Sequence, residues 1–227
     1  MTKKLPLLLF VFISFYANAQ IKKGTVLLGG QIASGSFKRE NSNSNSFPQP
    51  IPTNRKEVSR SFTIGISAGK TIKENTVIGF IFNTGNDKQT VNYSPTEFFT
   101  QKSSYNETGL FLRKYKKLAK EFYIYGQGNA LVNFGKSSSS FTNPTNNSSS
   151  TQTGGTISFA PGIAYAFSKK LHLELSMQNL LTVQYFNSKI NYTNPLISSS
   201  KTSGYNFNTS LSSGALSNIS IGFRFLF

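Results

Sequence analysis

The stretch Asn218-Ile219-Ser220-Ile221-Gly222-Phe223-Arg224-Phe225-Leu226-Phe227 decides how the chain is read. Its odd positions, Ile219, Ile221, Phe223, Phe225 and Phe227, are large and apolar. Its even positions, Leu226 apart, are small or polar: Asn218, Ser220, Gly222 and Arg224. A period of two is that of a β-strand, whose successive side chains point to opposite faces. Upstream the pattern repeats. In 156–167, Ile157, Phe159, Pro161, Ile163, Tyr165 and Phe167 oppose Thr156, Ser158, Ala160, Gly162, Ala164 and Ala166. In 171–185, leucines alternate with His172, Glu174, Ser176 and Gln178 until Asn179 and Leu180 break the pattern. Segments 60–70, 105–115 and 122–134 alternate as well, while the two faces of 25–37 are poorly distinguished and 76–86 is apolar on both. With 218–227 the reading gives eight strands.

Between these segments lie polar tracts at 40–57, 87–104, 137–153 and 188–213, rich in Ser, Asn, Thr or Pro. Such composition cannot bury a core and predicts loops. The other connections, 73–75, 116–120 and 168–170, are short. Alternating long and short connections between segments of about 11–15 residues suit tilted membrane-crossing strands. The predicted fold is therefore all-β: an eight-stranded antiparallel up-and-down transmembrane β-barrel with short periplasmic turns and long extracellular loops. Gly29-Gly30 and Gly154-Gly155 open no helix, so they read as strand kinks or bulges rather than phosphate loops.

Composition narrows the function. Of 227 residues, 32 are Ser, 22 Asn and 20 Thr, while charged residues make only 14%. Cysteine is absent and histidine occurs once, which excludes disulfide frameworks, thiolate chemistry and multi-histidine metal sites. The net charge of +16 points to an anionic partner. The cations are scattered, with no Arg-rich helix, so nucleic acid is not expected.

Residues 1–19 read as a signal peptide. Lys3 and Lys4 precede an apolar run, and Ala17-Asn18-Ala19 forms a cleavage site before Gln20. The run is too short to span a bilayer, which needs about 20 residues. The mature domain, 20–227, is thus expected outside the cytoplasm.

The opening Lys23-Gly24-Thr25-Val26-Leu27-Leu28-Gly29-Gly30, the segment Gly109-Leu110-Phe111-Leu112-Arg113-Lys114-Tyr115, Pro161-Gly162-Ile163-Ala164-Tyr165 and the ending Phe223-Arg224-Phe225-Leu226-Phe227 carry a family likeness. Together they resemble the small outer-membrane β-barrel proteins of Bacteroidota-type bacteria, within the wider OmpA/OmpX/OmpW-like class. The resemblance implies a location in the bacterial outer membrane, with membrane lipid, lipopolysaccharide and the barrel-assembly machinery as partners. It also implies that the terminal strand, through Ile221, Phe223, Phe225 and Phe227, is the signal read during assembly. A monomer without a cofactor is expected.

An eight-stranded barrel is filled by its inward side chains. Parity turns Glu107, Arg113, Tyr123, Tyr125, His172, Glu174 and Arg224 inward, and buried charges must pair. The expectation is an internal polar network of Glu107, Arg113, Tyr123, Tyr125, Glu174 and Arg224, with at least one Arg–Glu ion pair. Phe37, Tyr105, Tyr115, Phe122, Phe134, Phe167, Tyr185 and Phe186 lie near segment ends, as interfacial aromatic girdles do. His172 has no second histidine, and Asp87 is the only aspartate, so no catalytic or metal site is expected. The predicted role is structural or one of surface interaction, with a narrow conduit for small apolar molecules as an extension. The alternative is a secreted, soluble, lipocalin-like binding barrel, which would turn its apolar face inward.

Overall fold

The computed structural model describes residues 21–43, 53–93, 97–209 and 219–227. The signal segment with Ala17, Ala19 and Gln20 lies outside the described residues, as do 44–52, 94–96 and 210–218. Ten strands run in chain order: β1 Val26–Asn43, β2 Thr53–Lys73, β3 Thr76–Asn92, β4 Phe98–Lys117, β5 Phe122–Phe141, β6 Ser148–Ala166, β7 Leu171–Met177, β8 Leu181–Tyr192, β9 Ser200–Thr209 and β10 Ile219–Leu226. A 3-10 turn, Pro144–Asn146, caps the tip between β5 and β6.

All ten belong to one sheet of order β5-β4-β3-β2-β1-β10-β7-β6-β8-β9, with β5 and β6 also paired. Every ladder among the described residues is antiparallel. This corrects the expected eight-stranded up-and-down barrel. Among the described residues the strands number ten, and β6 pairs with both β7 and β8 while β10 pairs with β7 and with residues 27–33 of β1. β9 stands at the end of the strand order, so the ten-stranded sheet does not close into a barrel. The reason is local. Asn179 sits at φ 55°, a left-handed conformation that no strand accommodates, so the segment 171–185 divides into β7 and β8. The other additional strand, β9, comes from the tract 188–213, where composition predicts a loop, while the final segment 218–227 provides β10.

The long extracellular loops are corrected too. Much of the polar tracts is strand: β3 runs to Asn92, β4 starts at Phe98, β5 ends at Phe141 and β6 starts at Ser148. Backbone N–H and C=O groups pair equally well whatever side chains flank them, so a Ser-rich run continues a ladder its neighbours have begun. Ser137 and Ser150 add a hydroxyl–hydroxyl hydrogen bond of 2.9 Å across β5 and β6. At 20 residues, β4 and β5 extend about 65 Å, roughly twice a bilayer core. Nor do the glycine pairs mark bulges: the ladders run unbroken through Gly29, Gly30, Gly154 and Gly155.

The sheet is curled about its buried face. Side chains from β4 and β7, which share no ladder, meet across that interior. The outer face is the apolar one. On β10, Ile219, Ile221, Phe223 and Phe225 are exposed, while Ser220, Arg224 and Leu226 are 2%, 4% and 7% exposed. Likewise Ile157, Phe159 and Ile163 face out from β6, and Thr156, Ser158 and Ala164 face in. Among the described residues, exposed large apolar side chains outnumber buried ones.

Candidate functional site: the ionic interior and its mouth

The interior is layered. At the end with the tight turns, Ile21, Leu27, Phe111, Tyr115 and Leu226 form an apolar cluster. Ile21 is tied there by two bonds: its N–H donates to Asn75 Oδ1 (2.9 Å), and its carbonyl accepts from the Asn75 N–H (3.1 Å). Asn75 occupies the β2–β3 turn at φ 60°, a conformation asparagine tolerates.

Beside this cluster lies a carboxylate between two guanidiniums. Arg113 Nη1 on β4 donates to Glu174 Oε1 and Oε2 on β7 at 2.7 and 2.8 Å. From β10, Arg224 approaches the other side, with Nη2 donating to Oε2 at 2.9 Å and Nε to Oε1 at 3.1 Å. Tyr115 Oη donates to Glu174 Oε1 (2.9 Å) while accepting from Arg113 Nη1 (2.8 Å). Arg113 Nε continues to Gln127 Oε1 (2.6 Å), and its guanidinium carbon stands 4.2 Å from the centre of the Tyr125 ring. Arg224 Nη1 reaches Ser67 Oγ on β2 (2.8 Å). One buried carboxylate thus joins side chains from five strands. Each charge has several partners, the condition for burying ions without a large penalty.

Two glycines make this packing feasible. A Cβ on Gly29 would stand 2.6 Å from Arg224 Nη1, so the guanidinium lies directly over that residue. A Cβ on Gly162 would collide with the Tyr125 ring. Gly29 therefore supplies space for a side chain rather than a kink in its strand.

Of the residues expected inside, the structure hydrogen-bonds or stacks Arg113, Tyr125, Glu174 and Arg224 together, and places two at the margins. Tyr123 stacks on His172, with ring centres 5.5 Å apart, and meets the ion cluster through an edge contact with the Tyr115 ring, 6.3 Å between centres. Glu107 accepts from Asn83 Nδ2 at 3.4 Å and lines a polar pocket of about 310 Å³, together with Tyr105, Asn133, Gln178 and Gln184. Tyr115 and Tyr105, read from their positions as girdle residues, point inward instead, and Tyr105 Oη bonds Thr63 Oγ1 at 2.5 Å. Parity already placed Tyr115 opposite Leu110. Ser67 and Gln127 escaped notice because nothing in their own segments marks an uncharged polar residue as an ion's partner.

Between the ionic layer and the pocket, the chain Gln127–Asn129–Ser158 links by bonds of 2.7 and 3.1 Å. Only about 20 Å³ remains free beside Arg113, Tyr125 and Gln127. That is room for about one water. Chemically the arrangement is an ionic brace below an open polar cup. On the outer wall, an apolar groove of about 970 Å³ runs past Gly126, Phe159, Pro161, Ile163, Leu175 and Met177.

No family model matches the chain, and no curated protein matches it. Among solved structures it is similar to Neisserial surface protein A, at 14% identity over 92% of this chain and 100% of that one, with a TM-score of 0.37. It is similar to the outer membrane protease OmpT from Escherichia coli, at 10% identity over 94% and 100% of the two chains, TM-score 0.44. The outer membrane protein OprG from Pseudomonas aeruginosa gives 13% identity over 91% and 97%, TM-score 0.46.

Proposed function

We propose that the chain is an integral protein of the bacterial outer membrane with a structural, non-catalytic role. In this reading it is a membrane scaffold that holds a polar cup and polar strand extensions beyond the bilayer. The observation that carries the reading is the inverted polarity of the sheet. Ile221, Phe223 and Phe225 face outward while Arg224 and Glu174 are buried. A soluble binding barrel needs the opposite arrangement, because water around an apolar wall costs about 25 cal/mol per Å². The residues before Gln20 supply the export signal in this reading, and lipid and lipopolysaccharide surround the wall. The terminal strand meets the assembly machinery, and a monomer suffices.

Cell fractionation tests the proposal. The mature chain should stay with membranes after an alkaline wash and migrate differently on gels before and after boiling. Recovery in a periplasmic extract, with no effect of boiling, would overturn it.

Conduction of small apolar molecules is a second reading, and one observation favours it. The apolar groove beside Pro161 and Gly126 offers such molecules a place on the outer wall, whereas the space past Arg113 is polar and only about 20 Å³. Uptake of an apolar dye into vesicles, unchanged by Gly126→Leu, would exclude the groove as the path.

A further inference from the structure

We infer that the outer wall of β2–β5 carries a binding site for the phosphates of a lipid A-type glycolipid headgroup, formed by Arg60, Lys88, Lys102 and Lys136. The inference rests on the membrane reading above. Arg60 on β2 is directly opposite Lys88 on β3, and Lys88 is directly opposite Lys102 on β4. Lys136 on β5 is opposite Ser104, two residues along β4 from Lys102. All four are exposed on the apolar face of the sheet. Residues directly opposite on one face have Cβ atoms about 5 Å apart, and like charges so placed destabilise a sheet.

The neighbouring row handles the same problem differently. There Glu40 sits between Lys38 (2.9 Å) and Lys56 (3.7 Å). In the Arg60–Lys88–Lys102 row, no ion pair to a carboxylate occurs among the described residues. Asp87 borders the groove but belongs to the other face of β3. The uncompensated row lines an open groove of about 750 Å³ together with Phe62.

Height and width then choose the ligand. Arg60 lies two residues beyond Phe62, and Lys136 two beyond Phe134, about 7 Å along their strands. Phe62 and Phe134 are exposed members of the apolar band. The cations therefore stand where headgroups begin, at the end bearing the polar extensions. Across four strands the row is about 14 Å wide, more than one phosphodiester occupies. A headgroup with two phosphates fits that width. Arg60 offers a planar fork suited to phosphate oxygens, and the lysines act as point charges.

The test uses the full mature chain in phosphatidylcholine nanodiscs, titrated with diphosphoryl lipid A, with the same glycolipid lacking phosphates, and with phosphatidylglycerol. Thermal unfolding reports binding. Diphosphoryl lipid A should raise the unfolding temperature of wild type, and the other two lipids should do so much less. Arg60→Ser/Lys88→Ser/Lys102→Ser should weaken the diphosphoryl lipid about 100-fold. Without ligand this variant should be no less stable than wild type, because it relieves repulsion. Lys120→Ser/Lys169→Ser/Lys170→Ser removes equal charge at the other end and should change affinity less than about twofold. Equal losses in the two triple variants would reduce the effect to bulk charge and overturn the site. Equal gains from phosphatidylglycerol would overturn the assignment to lipid A. A chain that enters nanodiscs yet shows no dependence on phosphate refutes the site and leaves the membrane reading intact. One that does not enter them refutes both.

Discussion

Replacing Glu174 by Gln removes one negative charge and leaves two buried guanidiniums facing each other. The carboxylate now receives four donor contacts from Arg113 and Arg224, at 2.7–3.1 Å, and a fifth from Tyr115. A Gln side chain keeps the shape and one acceptor oxygen, but turns an N–H₂ donor toward the other guanidinium. Breaking a buried ion pair by deleting one partner costs about 3–5 kcal/mol. Here one deletion strands two cations, so the expected loss is at the top of that range, about 5 kcal/mol. That is a factor of several thousand in the unfolding equilibrium. The measurement is urea unfolding of the refolded full chain in detergent, with the folded fraction read from the migration of unboiled samples. A companion variant, Arg113→Met/Glu174→Leu/Arg224→Met, removes all three charges together. Well-packed apolar replacements for buried ion groups are often neutral or stabilising, so it should unfold within about 2 kcal/mol of wild type. A Glu174→Gln loss below about 1 kcal/mol would refute the account of the ionic brace, as would a triple variant no more stable than Glu174→Gln.

Three further outcomes follow from the structure. Phe227 pairs with Val26 through two 2.9 Å backbone bonds and faces outward; Phe227→Ser should cost only roughly 2–3 kcal/mol in refolded samples, yet sharply lower the amount inserted in cells. Similar, mild effects in the two assays would make it an ordinary lipid-facing residue. A peptide tag inserted after Thr145, at the β5–β6 tip, should be reached by antibody on intact cells, and one at Lys169 should not; the reverse labelling would invert the orientation. Gly29→Leu should destabilise the fold by about 2 kcal/mol or more, because the new side chain claims the place of the Arg224 guanidinium. Urea midpoints matching wild type would show that Arg224 has another position open to it.

How much of this could be read from the sequence depends on where side chains do the deciding. Facing was legible on β6 and β10, where large apolar residues alternate with small or charged ones. Arg113, Glu174 and Arg224 could be assigned to one interior by parity alone. Their meeting could not be read, because it depends on how far the sheet curls. On β1 the faces stayed ambiguous, since Leu27 and Leu28 look alike although one is buried and the other exposed. Strand length in the polar tracts was misread because composition reports on core burial, whereas a ladder at Ser137–Ser139 is sustained by its neighbour's backbone. The break at Asn179 was visible as a fault in the pattern, but its consequence, a strand ending, rests on one dihedral angle that sequence only hints at.

The two ends of the described chain share a seam. Leu27 pairs with Leu226, and the ladder continues to Ala33 and Ser220. Most other ladders join segments that are adjacent in sequence and close small loops. This one joins segments about 200 residues apart, and loop-closure entropy grows with the logarithm of that separation. Contacts of such high order form late. Kinetically, then, the hairpins can zip as they emerge, but the seam between residues 27–33 of β1 and β10 stays open until the final residues arrive. In that interval both unpaired edges offer a row of free backbone donors and acceptors, the template on which strands of another chain can add. Aggregation of this protein should therefore compete with the docking of β10 on β1. A synthetic peptide of residues 218–227 supplied in excess should divert refolding at that step and at no other.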